Sequence, residues 1–120
     1  MIYFSEIKNK HVYTEDGIRV GKLKDLIFLA TDKPNVTKIV VDLSNHETLI
    51  IPIEYLLKIR ERVVIHKKYQ KSELTENELY IEKNLLDKQI IDIKGSKIVR
   101  VNDIAIQDKP QFYGYPAVKQ

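Results

Sequence analysis

Three histidines and two aspartates are the residues whose chemistry could do work. His11, His46 and His66 stand in three separate segments. Imidazoles can hold zinc, but such sites draw on close spacings, such as two histidines one helical turn apart with a carboxylate beside them. None of the three belongs to such an arrangement, so they read as surface or strand-end histidines. Asp25 and Asp103 invite a second chemistry, because two carboxylates brought together can divide acid and base roles. No nucleophile or phosphate loop accompanies them. The chain has no cysteine, and Gly17, Gly21 and Gly95 lack the glycine-rich strand-to-helix setting that cradles phosphate. The reading that follows is of no enzyme, no cofactor and no bound metal. Each aspartate is expected to accept backbone hydrogen bonds at a β-bulge.

The elements that must position these residues are short strands. After the turn signal "EDG", the stretch "IRVGKLKDLIFLAT" is rich in β formers. "DKPN" turns the chain, and "VTKIVVDLS" alternates with Ile39, Val41 and Leu43 on one face. "TLIIP" is a strand ended by Pro52, "IEYLLKI" can make one or two helical turns, and "RVVIHK" resumes a strand. "QKSELTENEL" reads as loop and "YIEKNLLD" as a short helical turn. "QIIDI" and "KIVRVNDIAI" are the last strands. Gly17 and Gly95 are turn glycines, and Gly21 permits a bulge or a close backbone approach. Frequent turns and little helix predict a mainly β fold, a small barrel with short helical turns, its core built on Val20, Leu23, Ile39, Val41, Ile51 and Val63.

A partial repeat complicates this picture. Lys10, Gly17 and Asp25 lie 78 positions before Lys88, Gly95 and Asp103. In both stretches the apolar residues, Val20, Leu23, Leu26 and Phe28 against Ile98, Val101, Ile104 and Ile106, break strict alternation. A strand that keeps such residues on one core must change phase at a bulge. Nothing like "VTKIVVDL" or "TLIIPIEYL" follows the second copy, so its strands need cover from elsewhere. Ile98, Val101, Ile104 and Ile106 are therefore the candidate interface, docking either on the chain's own barrel or on a second molecule about a twofold axis. An isologous contact would let two incomplete copies complete each other, so the second, a homodimer, is expected. Phe112, Tyr113 and Tyr115, in "QFYGYPAV", would pack on an apolar surface of the same chain or its partner.

Composition narrows the classes. The chain has 120 residues, 43% hydrophobic and 31% charged, which suits one packed domain with a well-solvated surface. Its runs of apolar residues are too short to span a bilayer, and its start lacks a signal peptide's pattern, so a soluble, cytoplasmic protein with no membrane insertion is expected. The net charge of +3 comes from basic residues interleaved with acidic ones, with no long block. Nucleic acid is not the expected partner on that pattern.

The string "HVYTEDGIRVGKLKDLIF", followed by "VTKIVVDL", "TLIIPIEYLLKI" and "RVVI", resembles the PRC-barrel domain, named for the photosynthetic reaction-centre H subunit. "LLDKQIIDIKGSKIVRVNDI" is similar to the second PRC segment of prokaryotic proteins in which PRC barrels precede a magnesium-transporter MgtE intracellular domain and CBS domains. The resemblance implies a small β-barrel used for protein contacts or regulation, as also in the ribosome-maturation factor RimM, and it does not imply an enzyme. It divides the chain into a PRC-barrel domain over 1–68, a connecting segment over 69–86, a partial second repeat over 87–106 and an aromatic tail over 107–120. The functional expectation is a non-catalytic interaction module, in the setting of a magnesium-transport-related protein. The alternative is an RNA- or ribosome-associated factor of the RimM type.

Overall fold

The computed structural model describes residues 1–31, 34–86, 89–91, 98–100, 102–106 and 116–119. Gly95, Val101, Phe112, Tyr113 and Tyr115 lie outside the described residues. The elements run β1 (Ile2–Tyr3), α1 (Phe4–Ile7), β2 (His11–Thr14), β3 (Arg19–Leu29), β4 (Val36–Asp42) and β5 (Thr48–Pro52). A 3-10 turn (Ile53–Tyr55) follows, then β6 (Leu56–Ile59), β7 (Val63–Ile65), β8 (Glu78–Tyr80) and α2 (Ile81–Asn84). The chain continues through β9 (Gln89–Ile91), β10 (Ile98–Arg100), β11 (Asp103–Ile106) and β12 (Pro116–Lys119).

The main sheet has the order β5-β4-β3-β2-β7-β6, and β8 adds to β3 beyond the end of β2. Its pairs are antiparallel except β2 with β7. The longest strand, β3, can serve three neighbours because its phase changes along its length. Leu23 faces Val41 and Asp25 faces Val40, so Lys24 is the extra residue of a bulge. That one-residue slip puts Leu23 and Leu26 on the same core face, opposite Val41 and Ile39. Leu23, Ile39, Val41, Ile51 and Val63 are fully buried, while Val20 packs against the core from its margin.

Two features depart from the barrel expected from sequence. "IEYLLKI" makes a single 3-10 turn, and Leu56–Ile59 is strand, because pairing with β7 buries Leu56 and Ile59. Among the described residues β5 and β6 are the ends of the sheet order and do not pair, so the sheet is not closed into a barrel. The segment after β7 runs past β5 and β4. Tyr69 packs on the core, Ser72 N–H donates to the Ile50 carbonyl at 2.8 Å, and Lys38 Nζ donates to the Glu73 carbonyl at 2.7 Å.

The carboxy-terminal part is also covered differently. β11 lies between β1 and β12, with Ile2 opposite Ile106 and Ile104 opposite Val118. Ile104 is 0% exposed and Ile106 7%, and both belong to the same core as Leu23 and Val41. The expectation that a second molecule covers these two isoleucines is corrected: Ile2, Phe4 and Ile7 of β1 and α1 are buried with them in one chain. Within the segment read as an aromatic tail, Pro116–Lys119 forms a strand antiparallel to β11, as β4 is to β3. The connecting segment likewise contains a strand, β8, that its polar composition concealed.

Candidate functional site

The Lys24 bulge aims Asp25 at the start of α2. The first N–H groups of a helix have no partner within it, and Tyr80, which precedes α2, supplies no side-chain cap. Asp25 supplies it across the sheet. Its Oδ1 accepts from Glu82 N–H at 2.9 Å and Leu26 N–H at 2.7 Å, and its Oδ2 accepts from Lys83 N–H at 3.3 Å. The side chain is buried, and burial pushes its carboxyl up to about 6, against the opposing pull of backbone donors from Leu26, Lys83 and Ile81 and of the Lys8 ammonium. Asp25 also borders a cleft of about 350 Å³ with Lys24, Tyr80 and Lys83.

Asp103 does the same for α1. Its Oδ1 accepts from Ser5 N–H at 3.1 Å and from Ile104 N–H at 2.9 Å, and its Oδ2 accepts from the Ser5 hydroxyl. The flanking strand pairs match as well: Tyr80 lies opposite Ile27 and Leu79 opposite Phe28, while Tyr3 lies opposite Ala105 and Ile2 opposite Ile106. Lys8 and Glu82 form an ion pair that links the chain just past α1 to α2. Each aspartate thus serves a separate helix rather than sharing one site with the other.

The glycines have distinct tasks. Gly17 has φ +89° in the β2–β3 turn, a region costly for a residue with Cβ. At Gly21 a Cβ would overlap the Asp42 carbonyl oxygen, so the position permits β3 and β4 to approach. Ile98 lies on β10, whose backbone pairs with β9.

The histidines are not brought together into a metal site: among the described residues there is no group of three or more metal-capable side chains. His46 sits in the β4–β5 turn at φ 67°. His66 Nδ1 is 3.6 Å from Glu15 Oε1 and its ring meets Tyr55 edge-on. His11 is exposed on β2 opposite Lys22, and the charge of Arg19, then slight burial, then Lys22 lower its pKa.

Two arrangements escaped the sequence reading. One is a buried ion pair between Lys38 and Glu78, with Thr37 and Thr75 hydroxyls also donating to the carboxylate. Burial raises the Glu78 pKa, but the bonds from Lys38, Thr37 and Thr75 prevail and hold it at about 2. The lysine in the middle of the apolar run "VTKIVV" was its one visible signal. The other is a gathering of cations. Arg19, Lys22 and His46 surround an open groove of about 590 Å³ beside Asp42 and Ser44, and Arg62 lies 4.6 Å from the centre of the Tyr13 ring. These residues are interleaved with acids in sequence, and only the strand register collects them.

Among the described residues no helix is long and apolar enough to cross a membrane. A search of curated proteins finds no match to the chain. The sequence profile of the PRC-barrel domain matches residues 1–70, the span that contains β1 to β7 and their core. That match covers more than half of the chain, and on it the protein belongs to the PRC-barrel family.

Proposed function

We propose that the chain is a non-catalytic module for protein contacts or regulation, acting in the cytoplasm. The observation that carries this reading is the commitment of Asp25 and Asp103, the carboxylates that invited an acid and base pair, to backbone donors of two different helices. Such groups hold architecture, and a general base needs an oxygen free to meet a substrate proton. The matched contacts of the two aspartates also support reading residues 87–106 as a second copy of the β2–β3 unit. The likeness of "LLDKQIIDIKGSKIVRVNDI" to magnesium-transport-related proteins supports placing the module beside an MgtE- or CBS-type partner region. A homodimer would have to use surfaces other than Ile104 and Ile106.

The test is capture of the tagged chain from cells after crosslinking. A stoichiometric protein partner retained after nuclease treatment is the expected result. The second reading, an RNA-associated factor of the RimM type, draws on Arg19, Lys22 and Arg62, and it requires recovery that nuclease abolishes. Recovery of no partner of either kind would overturn the module reading.

A further inference from the structure

We propose that the outward face of β2 and β3, together with the groove that runs from it to His46, docks an extended acidic segment of a partner protein. The proposal rests on the interaction-module reading and names its partner's chemistry. Val12 and Leu23 are 0% exposed and point into the core, so their strand neighbours His11, Tyr13 and Lys22 point outward. On this face His11 stands opposite Lys22 and Tyr13 opposite Arg19. Val20 is the extra residue of a bulge there, which brings Arg19 into step with Lys22 although the two are three apart in sequence.

The cations therefore stand opposite residues two apart on β2, a spacing of about 6.6–6.8 Å along a strand. An extended peptide presents alternate side chains at the same spacing, so carboxylates at every second residue match Lys22 and Arg19 in turn. Arg62 extends the strip past Tyr13, and the groove toward Ser44 and His46 gives a carboxylate a concave seat. Among the described residues the acids near this face are Asp42, opposite Lys22 and 3.8 Å from Lys24 Nζ; the exposed Glu47 beside His46; Glu15, which faces His66 and accepts from Lys67 N–H; and Asp16, which accepts from the Thr14 hydroxyl. Glu61, exposed beside Arg62, is the remaining acid of the β6–β7 turn, while Lys10 Nζ is engaged by the Arg60 carbonyl at 2.6 Å. The charge of Arg19, then slight burial, then the charge of Lys22 lower the His11 pKa, and an arriving carboxylate would oppose the two charges.

The alternatives fit less well. Base stacking needs a free aromatic face, and Arg62 occupies one face of Tyr13. A membrane surface would want exposed apolar anchors, and among the described residues the large exposed ones are Met1, Ile18, Leu74 and Leu79, of which Ile18 adjoins this face through the β2–β3 turn.

The experiment is fluorescence anisotropy with a labelled decapeptide carrying glutamate at alternate positions between valines and threonines, read at low salt and in 0.5 M salt. The parent chain is compared with the double variant R19E/K22E and with K68E/K71E, which makes the same charge change on exposed residues outside the strip. Thermal melts establish that both variants are folded. Salt-sensitive binding by the parent, weakened at least tenfold in R19E/K22E and less than twofold in K68E/K71E, supports the proposal. Absence of binding, or equal loss in both variants, overturns it. Tighter binding of a single-stranded oligonucleotide or of phosphatidylserine vesicles overturns it too, in favour of RNA or membrane. If R19E/K22E still captures a protein partner from cells as the parent does, this face is wrong and the module reading stands.

Discussion

Asp25 and Asp103, 78 positions apart, each accept the N–H of the following residue and an N–H of a short helix remote in sequence, α2 for Asp25 and α1 for Asp103. β8 and α2 dock on β3 through Asp25, and β1 and α1 dock on β11 through Asp103. The arrangement is reciprocal, so the amino-terminal residues are held by the carboxy-terminal part, and the first sheet is held by the segment that leads into that part. Replacing either aspartate by alanine strands buried N–H donors, and a loss of about 1–3 kcal/mol is expected for each. Urea melts of D25A and D103A measure it, and a loss below about 0.5 kcal/mol in both would refute the clasp.

The pH dependence of Asp25 has a definite sign. Its folded pKa of about 6 exceeds the ordinary value of 3.8, so between those values the folded state binds more protons than the unfolded one. Stability contributed by protonated Asp25 is full below pH 3.8 and is lost as pH rises through 6, with a total on the order of 3 kcal/mol. Chemical melts at pH 4 to 7 should show this decline, and D25N should flatten it.

Glu78 works in the opposite direction and in a different window. Its folded pKa of about 2 lies below 4.5, so its contribution is present above pH 4.5 and is lost as pH falls toward 2. Because Lys38 and Glu78 are both buried, K38M leaves a carboxylate without its ammonium and should cost about 3–5 kcal/mol at neutral pH. The double variant K38M/E78L removes both charges and should recover most of that loss. A double variant as unstable as K38M alone would show that the pair is not the cause.

Gly21 and Gly17 should fail for different reasons when changed to alanine. At Gly21 the new methyl meets the Asp42 backbone, which cannot rotate away, and a cost of at least about 1–3 kcal/mol is expected. At Gly17 nothing lies within 4 Å, so the cost is only that of a positive φ, about 1–2 kcal/mol. Replacing Gly17 by asparagine, which tolerates that conformation, should recover part of it, while no such rescue exists at Gly21. Melting temperatures of the three variants decide the point.

Ile104→Lys distinguishes cover within one chain from cover by a second. The side chain is 0% exposed among residues of its own chain, so a lysine there should lower the melting temperature by the same amount at every protein concentration. A loss that shrinks on dilution would show that a second molecule supplies the cover.

Local pattern alone carried much of the first sheet. The alternation of Ile39, Val41 and Leu43, the glycine after Asp16, and the broken alternation from Val20 to Phe28 are short-range signals, because strand phase, turn and bulge are decided by neighbouring residues. What joins β1 to β11, β8 to β3 and β12 to β11 is not of that kind. β1, β8, β11 and β12 have two to four residues, too few for a period to register, and β1 and β8 are held by partners far away in sequence. The same holds for the cationic strip. Arg19 and Lys22 are separated from Arg62 by several acids along the chain, and whether those acids share their face depends on pairings and bulges that exist only once the sheet has formed.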